Sequence, residues 1–175
     1  MDFVHDQLAT GRNCILTIVD THSRYAPATD PRFSYRGEDV VQTLERVCGE
    51  VGYPKMIRVD NGSEFISRDL DLWAYQRDVV LDFSRPGKPT DNAYIESFNG
   101  KFRAECLNQH WFLSLDDARQ KMEEWRRDYN EVRPHSAIGN KLPMSLMDAL
   151  RRIRSAVSAT RGKSPNRVVQ NRVPR

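Results

Sequence analysis

Three carboxylates stand where a folded chain can deliver them to one point. Asp2 opens the apolar run Phe3-Val4, Asp60 closes the run Met56-Ile57-Arg58-Val59 ahead of Asn61-Gly62, and Glu96 lies on a stretch with helical periodicity. Thirty-five residues separate Asp60 from Glu96, and Arg103 follows Glu96 by seven. Carboxylate oxygens are hard ligands suited to Mg²⁺ or Mn²⁺, ions that keep waters and bind phosphate oxygens at the same time. Two such ions about 4 Å apart serve an in-line displacement at phosphorus, activating the attacking oxygen and stabilising the leaving one. If Asp2, Asp60 and Glu96 converge, the expected chemistry is phosphodiester cleavage or transfer on a two-ion Mg²⁺ or Mn²⁺ site. The competing reading of Glu96 is a solvated acid on an amphipathic helix.

The elements that must position these groups follow from periodicity. A helix over 92–106 separates into an apolar face of Ile95, Phe98, Phe102 and Cys106 and a polar face of Asn92, Glu96, Asn99 and Arg103. On that polar face Arg103 lies about 10 Å along the axis from Glu96, placed for phosphate contact and not for metal binding. Asn92 and Asn99 are expected to hydrogen-bond DNA or an ion's water, the alternative being plain surface amides. Before the helix, Ser84-Arg85-Pro86-Gly87-Lys88-Pro89-Thr90 can be neither helix nor central strand, and its cations Arg85 and Lys88 suit a phosphate chain.

Four stretches carry a family resemblance: Met-Asp-Phe-Val (1–4), Arg-Val-Asp-Asn-Gly-Ser-Glu-Phe (58–65), Arg-Pro-Gly-Lys-Pro-Thr-Asp-Asn-Ala-Tyr-Ile-Glu-Ser-Phe-Asn-Gly (85–100) and Tyr-Asn-Glu-Val-Arg-Pro-His-Ser (129–136). In order and spacing they resemble the integrase-type DDE transposases of bacterial insertion sequences, nearest to insertion-sequence family three, whose second reading frame encodes this core. The resemblance implies an α/β fold, an RNase H-like mixed five-stranded sheet flanked by helices, with Asp2, Asp60 and Glu96 as catalytic metal ligands and Asn61 and Glu64 behind them. It also implies DNA strand cleavage and strand transfer, transposon ends and target DNA as partners, a homo-oligomer on DNA, and a bacterial cytoplasmic setting. In such relatives an upstream helix-turn-helix region, or a companion reading-frame product, recognises the transposon ends. A catalytically inactive remnant that binds DNA, and a stand-alone RNase H-like nuclease, are the alternative functions.

Along the chain, strands are expected at 2–7, 14–19, 55–59 and 79–83, with a third strand inside 24–33. Pro27 and Pro31 cannot donate ladder hydrogen bonds and confine that strand to a sheet edge. Helices are expected over 37–49, with the stripe Val40, Val41, Leu44 and Val47, over 67–76, and from Ser114 to before Pro134, with Leu115, Ala118, Met122, Trp125 and Tyr129 in register. Ser114 with Asp117 approaches a capping box, and Asp20 reads as a turn cap beyond the second strand.

With 175 residues the chain is one domain by length: a catalytic core over 1–140, a helical extension over 141–157 and a basic, disordered tail over 158–175. Beyond Asp148 there is no acid but eight Lys and Arg, which leaves 19 basic against 24 acidic residues, a net of −5, in residues 1–150. No apolar run approaches the roughly 18 residues of a spanning helix, so no membrane role is expected. Cys14, Cys48 and Cys106 are odd in number and set among apolar residues, which reads as reduced core thiols, and the four histidines lack ligand spacing.

Overall fold

The computed structural model describes residues 1–85 and 92–161, with side chains to 153. Strands β1 (Asp2–Leu8), β2 (Gly11–Ile18) and β3 (Ala28–Arg32) form an antiparallel sheet in that order. Asp2 is registered against Thr17 and Leu8 against Gly11, while Ile15 of β2 faces Pro31 of β3. β3 is therefore an edge strand, where Pro31 can turn its missing donor away from the ladder. Strands β4 (Met56–Val59) and β5 (Val80–Phe83) pair in parallel with Met56 opposite Val80. The five expected strands thus pair as three plus two, and the Met1 nitrogen, 2.7 Å from the Arg58 carbonyl oxygen, joins the start of β1 to β4.

Helices α1 (Gly37–Val51) and α2 (Arg68–Gln76) cover one side, and α3 (Ala93–Glu105) and α4 (Leu115–Glu131) the other. Alternation along β2 divides the core accordingly. Cys14 and Leu16 join Val40, Leu44, Phe65, Leu70 and Trp73 in one buried cluster, while Ile15 joins Ile95, Phe98, Phe102, Met122 and Trp125 in the other. The expected stripe of α3 is wholly buried, at 5% exposure or less for Ile95, Phe98, Phe102 and Cys106. Ser67 caps α2 by accepting the Leu70 N–H at 3.2 Å. Ser114 caps α4 by accepting from Asp117, whose carboxylate in turn accepts the Leu113 N–H at 3.0 Å.

Residues 129–136, one of the motifs behind the family resemblance, prove to be scaffold. The Asn130 amide grips the backbone of Ala26 at both ends, accepting its N–H at 2.8 Å and donating to its carbonyl at 2.9 Å. Tyr129 packs edge-on to Phe98, Arg133 pairs with both Glu105 and Asp128, and the His135 ring lies 4.4 Å from that of Tyr129. The motif thereby ties the end of α4 to α3 and to the approach of β3.

α5 (Pro143–Arg161) begins within the helical extension expected over 141–157 and continues through 158–161, assigned above to the tail. Its Met147 is buried, and Arg151 donates to the Glu50 carbonyl of α1. The remaining tail assignment, 162–175, lies outside the described residues.

Candidate active site

Two hydrogen bonds fix the Asp2 carboxylate. Its Oδ1 accepts the N–H of Phe3 at 2.8 Å, and its Oδ2 accepts the side-chain amide of Asn99 on α3 at 2.8 Å. The Asn99 oxygen accepts the Thr17 hydroxyl at 2.8 Å, and Thr17 is the residue opposite Asp2 across the β1–β2 ladder. Asn99 is only 9% exposed and Thr17 fully buried, so this chain of hydrogen bonds is part of the interior. Both ends of the Asn99 amide, expected at DNA or an ion's water, are engaged inside the protein here, and its donor holds Asp2.

Asp60 leaves β4 and turns back on itself, its Oδ1 accepting the Gly62 N–H at 2.9 Å. A Cβ on Gly62 would stand 3.0 Å from that oxygen and 3.3 Å from Glu64 Oε2, so glycine lets both carboxylates close over the turn. Glu64, expected behind the metal ligands, is thus a close neighbour of Asp60, and accepts the Ser63 hydroxyl at 3.0 Å. Asn61 donates to the Ser84 carbonyl at 2.9 Å, which fastens the Asp60 turn to the exit of β5.

Burial raises the Asp2 carboxyl above its ordinary pKa, and the nearby Asp60 charge acts in the same direction, against the Phe3 N–H and the Asn99 amide. Asp2 and Asp60 therefore form a like-charged pair that a cation relieves.

Glu96 is exposed, and among the described residues no three His, Cys, Asp or Glu side chains converge closely enough to hold a metal ion. Its helix face is nonetheless set. Asn99, three residues on, touches Asp2, while Asn92, four residues before, accepts the Ser84 hydroxyl at 2.7 Å. That hydroxyl also lies 3.0 Å from the carbonyl of Val59, the residue before Asp60. Residues three apart share a helix face, so Glu96 is on the side of α3 that carries Asn99, whose amide meets Asp2.

Of the residues expected to contact DNA, Asn92 thus spends its side-chain oxygen on Ser84. Arg103 is exposed and reaches the His5 carbonyl at 3.5 Å, Arg85 is exposed just past β5, and Lys88 lies outside the described residues. Asp20 is the turn cap expected, its Oδ2 accepting the N–H and hydroxyl of Ser23 at 2.7 and 2.5 Å. The structural role of Asn99 was missed; its signal was a place on the Glu96 face, three residues on and flanked by the buried Phe98 and Phe102. No helix among the described residues is long and apolar enough to cross a membrane.

Comparison with known proteins bears on the family and the fold. Two family models, both described as integrase core domain, match residues 1–89 and 77–143. A 31.7 kDa protein of insertion element IS407 from Burkholderia multivorans (strain ATCC 17616 / 249) is 50% identical over 144 residues, covering 82% of this chain and 52% of its own. A 39.2 kDa protein of insertion element IS476 from Xanthomonas euvesicatoria is 47% identical over 144 residues, covering 82% of this chain and 42% of its own. The chain thus spans about half the length of these relatives. A simian T-cell lymphotropic virus intasome in complex with PP2A regulatory subunit B56 gamma aligns with TM-score 0.68 at 17% identity, over 99% of this chain and 56% of that one. The HTLV-2 integrase catalytic core domain in complex with magnesium, in its trimeric form, aligns with TM-score 0.63 at 18% identity, over 82% of this chain and 90% of that one. The fold is accordingly the RNase H-like α/β fold of retroviral integrase cores, and the chain belongs to the integrase core domain family as it occurs in bacterial insertion elements.

Proposed function

We propose that the chain is the catalytic domain of a DDE transposase, performing metal-dependent DNA strand cleavage and strand transfer through Asp2, Asp60 and Glu96. The observation that supports this reading is the Asn99–Asp2 hydrogen bond, made by the residue one turn beyond Glu96 on α3. Asp2, Asp60 and Glu96 would hold Mg²⁺ or Mn²⁺, with two ions the expected number. The fit rests on the donors: Asp2, whose pKa is raised first by burial and further by the Asp60 charge, Asp60 itself, and a third carboxylate on an exposed helix position.

Bound there, the ions would supply Lewis acidity at the attacking and leaving oxygens. The chain's own residues do the positioning. Asn99 and Thr17 fix Asp2, Gly62 and Asn61 fix the Asp60 turn, and Arg85, Lys88 and Arg103 hold the phosphodiester backbone. In the first step a water oxygen bonds to phosphorus and the strand's 3′ oxygen leaves with a proton. In the second that 3′-hydroxyl attacks phosphorus in the target strand, and the target's own 3′ oxygen leaves. Transposon ends and target DNA are the substrates, brought together by a homo-oligomer with end recognition from an upstream helix-turn-helix region or a companion product. Two of the similar structures, an intasome and a trimeric integrase core with magnesium, are consistent with assembly and metal use.

The test is cleavage and strand transfer by the purified chain on DNA oligonucleotides with Mn²⁺ or Mg²⁺, beside Asp60→Asn and Glu96→Gln. Metal-dependent activity lost in both variants is expected. Activity that survives them refutes the assignment, and cutting of RNA–DNA hybrids without strand transfer would favour an RNase H-like nuclease.

A further inference from the structure

The loop joining β2 to β3 holds a conformation that its residue type disfavours. Arg24 has φ 61°, in the left-handed region that glycine enters freely and an L side chain does not. The loop enforces it: the Arg24 N–H donates to the Asp20 carbonyl at 2.9 Å, the Asp20 N–H donates to the Tyr25 carbonyl at 2.8 Å, and the Asp20 carboxylate holds Ser23. The result is a guanidinium laid on the ring of Tyr94, 4.1 Å from its centroid. Arg24 Nε is buried there and has no hydrogen-bond partner among the described residues. A strained backbone that delivers a cation to an aromatic ring, and leaves a donor unused, points to a ligand.

Tyr94 lies in the first turn of α3, two residues before Glu96, and is 50% exposed. It lines a crevice of about 380 Å³ whose wall includes Asp20, Asn92, Arg58 and Met1, the last two lying two residues before Asp60 and one before Asp2, with Leu44, Val47 and Met147 as apolar floor. Lys101 stands two turns further along α3, and Lys101, Arg133 and Arg24 all add positive field at His135, whose imidazole is held below its ordinary pKa first by burial. The neighbourhood thus joins a cation and an aromatic ring, and its crevice reaches the residues that precede the two aspartates.

We propose that Arg24 and Tyr94 form a nucleotide subsite beside the carboxylates that takes an unpaired nucleotide at a DNA end. Guanidinium N–H groups match a phosphodiester, and the half-exposed Tyr94 ring can stack a base of any sequence on the face that Arg24 leaves open. A base inside a duplex has both faces covered by its neighbours, so only a frayed or single-stranded nucleotide can use the ring. This inference rests on the DNA-processing role proposed above and adds where the end of the strand is held.

Fluorescence anisotropy without divalent metal separates the two, because binding is read with no cleavage step. The probes are a blunt duplex and the same duplex with three unpaired nucleotides at one end, against wild type, Arg24→Gly, Tyr94→Ala, Tyr94→Phe and Asp60→Asn. Arg24→Gly should weaken binding of the unpaired end about tenfold and that of the blunt duplex less than about twofold, as should Tyr94→Ala, the size expected for one stacked base. Tyr94→Phe keeps the ring and should bind as wild type. Glycine suits φ 61°, so Arg24→Gly should keep or raise the melting temperature, which excludes unfolding as the cause. Equal loss on both probes, wild-type binding by Arg24→Gly or Tyr94→Ala, or no preference of the wild type for the unpaired end would overturn the subsite. Asp60→Asn should retain the preference while losing cleavage, so failure of the catalytic reading shows separately.

Discussion

Replacing Asn99 by alanine removes two hydrogen bonds from the interior and releases Asp2. The bond to the Asp2 carboxylate has a charged acceptor, worth about 1.5–3 kcal/mol, and the bond from Thr17 is neutral, worth about 1 kcal/mol. With Asn99 9% exposed, little water is available to replace either, so the loss should be roughly 2.5–4 kcal/mol. For a domain of this size that lowers the melting temperature by about 5–15 °C. Stability alone does not show which partner matters, so the informative measurement is a double-mutant cycle of Asn99→Ala with Asp2→Ala, by urea unfolding followed through tryptophan fluorescence. Relief of Asp2–Asp60 repulsion occurs in both arms that lack Asp2 and cancels to first order. The expected coupling is about 1.5–3 kcal/mol. A coupling below about 0.5 kcal/mol, the level of independent sites, would refute the argument that Asn99 tethers Asp2.

Three further outcomes are expected. Gly37→Ala would set a Cβ 2.2 Å from Ser67 Oγ and 2.6 Å from its Cβ, so the α2 cap must move, at a cost of about 1–2 kcal/mol by urea unfolding; an unchanged midpoint would contradict the close approach. His135, held below its ordinary pKa mainly by burial, binds fewer protons folded than unfolded, so its contribution to stability is present above its unfolded pKa and is lost as pH falls below about 6.5. Melting temperatures between pH 8 and 5 should accordingly fall less steeply in His135→Gln than in wild type, and parallel curves would remove the histidine from the account. Burial raises the thiols of Cys14 and Cys48 to about 11 and that of Cys106 to about 12, so at pH 8 iodoacetamide should label the native protein far more slowly than protein in urea, and equal rates would refute this.

What the sequence disclosed depended on whether the cause was local. The stripe of α3, the proline-marked edge strand β3 and the Ser114 cap each follow from residues within one or two turns, and each stands as expected. The face opposite the α3 stripe was harder to read. An amide at position 99 looks the same on a helical wheel whether it faces water or a carboxylate, and what decides the matter, Asp2 and Thr17, lies 97 and 82 residues away. α5 was cut short for a related reason. Residues 158–161 read as tail by composition, yet they continue a helix whose earlier turns are anchored by the buried Met147 and by Arg151 at a carbonyl of α1. Arg24 drew no attention because nothing in a sequence marks a positive φ at a residue other than glycine.

The same long-range bonds bear on when activity can exist. Asp2 meets its support only after the first hairpin has closed and α3 has docked across it, while the Asp60 turn needs β5 and Ser84 in place. Contacts so distant in sequence form late and are lost with the cooperative unit as a whole. A nascent or partly unfolded copy therefore has no assembled pair of aspartates. On the function proposed above, the scatter of these groups along the chain would confine strand cleavage to molecules that have finished folding.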